Sequence, residues 1–191
     1  MTTAAPAEDT RTRLLGTALR LFAEHGVEGT SLQMIADALG VTKAAVYYHF
    51  KTKAEITEAV AAPAIRELDH IVSEAAKQRR RGTQVDYLLD GFVDLVVRHR
   101  VLVALFSSDP GINRAIENST RGMEGFKNAL IDILAGPEPD TSSRVAALVT
   151  LTGLAMTGGS PDIAQLDDET LRHELVDAGR RLLGRPRRHH D

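Results

Sequence analysis

Residues 30–53 read TSLQMIADALGVTKAAVYYHFKTK, and this stretch predicts two short helices joined by a tight turn. Ser31 is a suitable N-cap for the first helix, because its hydroxyl can accept a hydrogen bond from the free N–H groups of the first turn. Gly40 is suited to end that helix, since the position just after a helix often requires a positive φ. Thr42 then caps the second helix and Thr52 a third. The stretch therefore predicts a helix-turn-helix that is followed directly by a longer helix.

The second helix of this pair presents aromatic and basic side chains on one side. At about 100° per residue, Val46 and Phe50 point to the core while Ala44 and Tyr48 lie on the opposite side. An exposed aromatic face adds little stability, so it indicates a binding surface. Double-stranded DNA fits it, because small residues allow close approach to a groove and hydroxyls and lysines reach phosphates. A face packed against another protein domain would have a similar composition, and this alternative stays open. The predicted DNA-binding residues are Ser31, Gln33, Thr42, Lys43, Ala44, Tyr47, Tyr48, His49 and Lys53.

The same stretch closely resembles the DNA-binding signature of the TetR family of bacterial transcriptional regulators. The resemblance covers the first quarter of the chain well and the rest only in its helical layout. It implies a small DNA-binding head, a ligand-binding body and a homodimer formed by the last two helices. The matching residues are Gly40, Val41, Thr42, Lys43, Val46, Tyr47, Tyr48, His49, Phe50, Lys51 and Lys53.

Composition limits the other classes of function. The 191 residues carry a net charge of −3, so any attraction to DNA must come from local placement of Lys43, Lys51 and Lys53. The chain has no cysteine, which excludes a disulfide framework and a thiolate zinc site. The N-terminus lacks an apolar leader and no apolar run is long enough to span a membrane, so we expect a cytoplasmic protein.

Helical spacing of apolar residues predicts an all-α fold of about nine helices, with no alternating pattern typical of a β-strand. We expect the first helix to stop at Gly26, Pro63 to kink the fourth helix, Arg79 to Arg81 to end it, and Thr83 to cap the fifth. The predicted division is a disordered arm at 1–9, a helix-turn-helix DNA-binding domain at 10–52, a ligand-binding and dimerisation domain at 53–184 and a basic tail at 185–191.

The last two helices carry excess apolar surface. Ala146, Thr150, Gly153 and Thr157 form a row of small residues at spacings of four, three and four, and small residues let helices approach closely. Such a pair suits a four-helix bundle with a second copy of the chain. Burial within one monomer is the alternative.

These features predict a transcriptional repressor that an unknown small molecule releases from a palindromic operator. The sequence does not encode the sign of regulation, so an activator of the same fold stays open. Ordinary core packing is the stronger explanation for each candidate effector contact. The candidate ligand-binding residues are Phe92, Leu95, His99, Phe106, Met123, Phe126 and Met156.

An enzyme is the rival class. Glu67 and His70 have the spacing used in di-iron bundles, but a second such pair with two further carboxylates is missing from the sequence. The sequence also lacks a Gly-rich phosphate loop and a serine nucleophile elbow. We therefore predict no catalytic residue, metal or cofactor.

Overall fold

A computed structural model describes residues 9–112, 114 and 123–185, with Ser107 and residues 123–127 described for the backbone alone. Within these ranges the regular structure is helical, as predicted, and none of the described residues lies in a β-strand. No helix in this part of the chain combines the length and apolar character of a membrane span. A short 3₁₀ turn covers Pro161–Ile163. The α-helices are α1 (Thr10–Gly29), α2 (Leu32–Leu39), α3 (Lys43–His49), α4 (Lys53–Ala76), α5 (Arg81–Arg98), α6 (Arg100–Ser108), α7 (Met123–Ala135), α8 (Thr141–Gly158) and α9 (Asp168–Leu182).

The described residues form two compact units. The first, which we call the head, runs to Ala62 and also takes in the segment that begins at Asp109. The second, the body, contains Pro63 to Ser108 and the described residues from 123 onward. The head thus extends past the boundary that we placed after residue 52, because the first ten residues of α4 belong to it and Ile56 is fully buried there.

Gly26 marks a break inside α1. Its φ of 73° and ψ of 164° are not helical, so the helix stops there as predicted. The chain then forms one further helical turn up to Gly29, which the sequence did not indicate. The Thr30 hydroxyl closes this turn by donating to the carbonyls of Leu21 at 3.1 Å and Gly26 at 2.8 Å.

The prediction for the start of α5 was wrong. Arg81 begins α5, two residues before the predicted cap, and α4 already ends at Ala76. The Arg81 guanidinium donates to the carbonyl of Leu134 at 3.1 Å, near the end of α7. Carbonyl groups in the last turn of a helix lack intrahelical donors, so the arginine stabilises a different helix end from the one we predicted.

α5 is the central helix of the body and takes part in both of its buried apolar clusters. Leu89 and Val96 pack in one cluster, and Leu88 and Leu95 pack in the other. Three glycines allow neighbouring helices to approach closely. A Cβ on Gly158 would lie 2.1 Å from Val96, and a Cβ on Gly179 would lie 2.6 Å from Leu89. A Cβ on Gly159 would lie 2.7 Å from the backbone nitrogen of Ala104 in α6.

The predicted row of small residues on α8 does not form one exposed surface. Thr150 is fully buried, Ala146 and Gly153 are half-buried, and Thr157 is exposed. The spacing keeps the row on one face of the helix, but that face is buried at Thr150 and becomes exposed at Thr157 in the last turn. The close contacts within the body come instead from glycines that the row did not include.

Aspartates cap the last two helices. Asp140 accepts from the backbone N–H of Ser143 at 2.7 Å, and Asp167 accepts from that of Thr170 at 2.8 Å. These hydrogen bonds hold the pKa of Asp140 and the pKa of Asp167 below their usual value. The caps define where the two helices begin.

Replacing Gly159 by alanine should destabilise the body by about 1–3 kcal/mol, because the added methyl group meets backbone atoms of α6 rather than a movable side-chain end. Denaturant unfolding followed by circular dichroism measures this loss. Gly16→Ala is the control, since no atom lies within 4 Å of its added Cβ. The control should gain about 0.5–1 kcal/mol by lowering the entropy of the unfolded chain. Equal stability of the two variants would contradict the close approach of α6 and α8.

Candidate nucleic-acid interface

The turn between α2 and α3 has the geometry that its sequence predicts. Gly40 has a φ of 68°, in the left-handed region. The N–H of Gly40 donates to the carbonyl of Asp37 at 3.1 Å, and the N–H of Val41 donates to that of Ala36 at 3.0 Å. This is a Schellman motif, which fixes the direction in which the chain leaves a helix. The motif therefore determines how α3 is positioned after α2.

Burial determines the rotation of α3 about its axis. Val46 is 0% exposed and Phe50 is 4% exposed. On the other side Tyr48 is 78% exposed and Tyr47 is 40% exposed. These exposures agree with the prediction that Val46 and Phe50 face the core and that Tyr48 lies on the opposite side of the helix.

The predicted polar residues at the helix starts are engaged in capping. The Ser31 hydroxyl accepts from the N–H of Met34 at 3.2 Å, and the Thr42 hydroxyl accepts from the N–H of Ala45 at 3.2 Å. Because each hydroxyl oxygen acts only as an acceptor in these caps, its hydrogen remains available for donation to another group. Gln33 donates from its amide to Asp37 at 2.7 Å and is exposed.

The cationic side chains of the head that have no carboxylate within ion-pair distance, among the described residues, include Arg11, Lys43 and Lys51. The Lys43 ammonium lies 5.7 Å from the centre of the Tyr47 ring. The Lys51 ammonium donates to the backbone carbonyl of Tyr47 at 2.7 Å, and the Arg11 guanidinium lies 5.0 Å from the centre of the Phe50 ring. The unit thus places positive charge beside the exposed aromatic face of α3.

Lys53 is in a different environment from the other predicted DNA-binding cations. Its ammonium donates to the Glu28 carbonyl at 3.1 Å and lies 3.5 Å from the Glu28 carboxylate. Arg114 lies 3.1 Å from the same carboxylate. Two cations therefore share one carboxylate, and Lys53 links α4 to the last turn of α1. His49 is half-buried, with its ring 5.2 Å from that of Tyr48 in an edge-on arrangement.

Asp109 caps a break in the head, a structural role that the sequence did not predict. Its carboxylate accepts from the N–H of Val27 at 2.6 Å and from the N–H of Gly111 at 2.7 Å. The break at Gly26 deprives Val27 of its helical acceptor, and Asp109, 82 positions further on, replaces it. Gly26 was the signal in the sequence, but nothing there indicated which residue would complete the cap.

The predicted effector-binding residues of the body are spread over several environments. Phe92 is buried in the cluster that contains Leu154, whereas Leu95 is buried in the cluster that contains Leu134. His99 lies with its Nε2 atom 3.0 Å from the carboxylate of Glu67. The structure thus supplies a protein partner for the imidazole that we had considered as a polar anchor for a ligand.

Met156 does not join the other candidates. It is 57% exposed, because Leu154 takes the buried position two residues earlier and the two side chains point to opposite sides of α8. Phe106 is half-buried near the end of α6. The side chains of Met123 and Phe126 lie outside the described residues.

Known proteins match the head most clearly. The family profile described as bacterial regulatory proteins, tetR family, matches residues 14–60. The HTH-type transcriptional regulator AcrR of Shigella flexneri is 52% identical over 50 residues, which cover 26% of this chain and 23% of that protein. The probable acrEF/envCD operon repressor of Escherichia coli strain K12 is 44% identical over 68 residues, which cover 35% of this chain and 31% of that protein. The chain thus spans less than a third of each of these two curated relatives.

A structural match extends over nearly the whole chain. A transcriptional regulator of the TetR/AcrR family from Thermobifida fusca aligns with a TM-score of 0.61 and 26% identity, covering 95% of this chain and 100% of that one. This structural alignment includes the body, whereas the sequence matches to the two curated relatives are short. Residues 14–60 thus carry the N-terminal domain of the bacterial regulatory proteins of the tetR family, and the chain shares its fold with a regulator of the TetR/AcrR family.

Proposed function

We propose that the protein is a transcriptional regulator that binds double-stranded DNA through α3. The observation that carries this proposal is the exposed face formed by Lys43, Ala44, Tyr47 and Tyr48 on a short helix whose opposite side is buried. A major groove admits an α-helix, and the first residues of such a helix contact base edges. Lys43 occupies that position in α3.

Contacts to the phosphate backbone would position this helix. The hydroxyls of Ser31 and Thr42 keep a hydrogen to donate, and both residues are exposed at helix starts. Arg11 and Lys51 add positive charge without an ion-pair partner among the described residues. Such contacts supply affinity, whereas the base-edge contacts of α3 supply sequence specificity. Lys53 is weaker support, because Glu28 already neutralises it.

Repression is the direction that the relatives favour, since one of them is itself described as a probable operon repressor. A small effector would release DNA if it bound the DNA-free conformation of the body more tightly than the DNA-bound one. Phe92, Leu95 and Phe106 remain the proposed apolar contacts for this effector. An activator of the same fold would use the same DNA-binding face.

A second copy of the chain is the proposed partner of α8 and α9. Val145, Val149 and Met156 lie on one side of α8 at spacings of four and seven, and each is about half exposed. Leu182 adds an exposed apolar side chain on α9. We call these four residues the outer apolar face. Two heads held about 34 Å apart by such a dimer would reach successive major grooves and require a near-palindromic operator.

Binding to DNA fragments that flank the protein's own gene tests the proposed function. We expect saturable binding to one fragment in an anisotropy titration, weakening as salt rises because counterions are released from the phosphates. Tyr48→Ala should raise the Kd for that fragment at least about tenfold, since a lost base or phosphate contact costs about 1–3 kcal/mol.

Tyr87→Ala is the matched control for this titration. Tyr87 is a partly exposed tyrosine of α5, in the body rather than the head, and it is 38% exposed. Its replacement should leave the Kd unchanged. Equal binding by the Tyr48 variant and the control would show that the aromatic face of α3 does not contact DNA.

Val149→Glu should convert the protein to a monomer, because a desolvated and unpaired carboxylate in the middle of an apolar interface is costly. Light scattering after size-exclusion chromatography measures the mass directly. Val101→Glu, at a 45% exposed valine of α6, should leave the mass of the dimer unchanged. A dimer that survives Val149→Glu argues against the outer apolar face as the interface.

A further inference from the structure

The body contains a cavity of about 370 Å³ at one end of its helices. It lies where α5 and α8 begin and where α7 and α9 end, and two of its lining residues, Val85 and Leu134, belong to the buried cluster that contains Leu95. Its volume falls in the range of small-molecule sites in proteins. The lining combines basic, hydroxyl and apolar side chains and includes no Asp or Glu, and it consists of Arg81, Val85, Leu134, Ala135, Ser142, Ser143, Ala146, Leu182, Leu183 and Arg185.

Arg81 is the principal charged group of the cavity. One of its nitrogens donates to the Leu134 carbonyl at 3.1 Å. No carboxylate among the described residues lies within ion-pair distance of this guanidinium. A guanidinium has five N–H donors, so most of its donor capacity is unused. The hydrogen bond to Leu134 orients a side chain that is otherwise exposed, and its charge has no carboxylate partner among the described residues.

The backbone at Gly136 is shaped to accommodate this guanidinium. Gly136 has a φ of 106°, and a Cβ there would lie 3.2 Å from Nη2 of Arg81. Any other residue would be strained at this φ and would crowd the arginine. The end of α7 therefore holds the Arg81 side chain at the cavity by both a hydrogen bond and a fitted backbone.

Arg185 supplies a second guanidinium to the lining of the cavity. Its Nη2 atom donates to the Gly82 carbonyl at 3.1 Å and to the Asp86 carboxylate at 3.1 Å. Its Nε atom is buried and has no hydrogen-bond partner among the described residues. The ion pair with Asp86 thus partly neutralises Arg185, which leaves Arg81 as the guanidinium of the lining without a carboxylate partner among the described residues.

The rest of the lining is divided into a hydroxyl side and an apolar side. Ser142 and Ser143 lie in the first turn of α8, where N–H groups and the helix dipole favour negative charge. The Asp140 carboxylate already accepts from the backbone N–H of Ser143 at 2.7 Å and offsets part of this dipole, so the positive charge offered to a ligand comes mainly from Arg81. Leu134 and Ala146 provide apolar surface next to these polar groups.

We propose that this cavity binds a small monocarboxylate that carries a short apolar chain. The carboxylate pairs with Arg81 and accepts from the hydroxyl of Ser142, and the chain packs on Leu134, Ala146 and Leu182. Leu182 also belongs to the outer apolar face, so a bound ligand contacts the surface proposed for the dimer. The inference rests on the cavity alone and does not depend on DNA binding.

Titration of the full-length protein with octanoate tests this proposal. Isothermal titration calorimetry gives the Kd, and amide NMR spectra locate the site. We expect saturable shifts of the amides at residues 134–136 and 142–146, with 1-octanol and acetate binding at least about tenfold more weakly because each lacks one half of the ligand. Arg81→Gln should raise the octanoate Kd about tenfold, whereas Arg79→Gln, at an exposed residue outside the lining, should not.

A second variant tests the same site independently, in case Arg81→Gln does not fold. Ser142→Glu introduces a carboxylate at an exposed position in the first turn of α8, where it suits the helix dipole and should preserve folding. It should raise the octanoate Kd about tenfold through repulsion and competition for Arg81. The proposal is overturned if 1-octanol binds as tightly as octanoate, or if the Arg81 and Ser142 variants both bind octanoate as the parent protein does. It is also overturned if no saturable shifts appear, or if the shifts are confined to the region of Phe92 and Leu95.

Discussion

The burial of Val46 sets the rotation of α3, and the proposed activity depends on that rotation. With Val46 and Phe50 inside, helical geometry directs Tyr48 outward, where its ring meets the His49 ring edge-on. Caps at both α2 and α3 and the Schellman motif at Gly40 then fix where the short helix begins. A seven-residue helix would be unstable alone, so the head supplies its order through packing and capping rather than through helix propensity.

The body combines close internal packing of its helices with an exposed apolar surface. Gly158, Gly159 and Gly179 bring α8 and α9 against α5 and α6, and this leaves Val145, Val149 and Met156 on the outside. Exposed apolar residues arranged along one face typically mark an interaction site. The same arrangement explains why Met156 is better placed to meet a second chain than to contact an effector inside the body.

Local rules explain the parts that the sequence predicted well. Ser31, Gly40 and Thr42 act within a few residues of their own position, so their roles follow from hydrogen-bonding groups and allowed φ values. Pairings between distant residues could not be predicted in this way. Asp109 with Val27, Lys53 with Glu28 and His99 with Glu67 each depend on tertiary packing. The start of α5 was missed for the same reason, because Arg81 is held by a carbonyl of α7.

Selection of binding sites from random double-stranded DNA with the purified protein would show whether α3 reads DNA. We expect enrichment of an inverted repeat whose half-sites are centred about one helical turn, or a multiple of it, apart, since two α3 helices would read equivalent major grooves. Enrichment should disappear when the exposed aromatic residues of α3 are replaced. Failure to enrich any sequence at low salt, or enrichment that survives those replacements, would contradict the assignment of α3 as the DNA-reading helix.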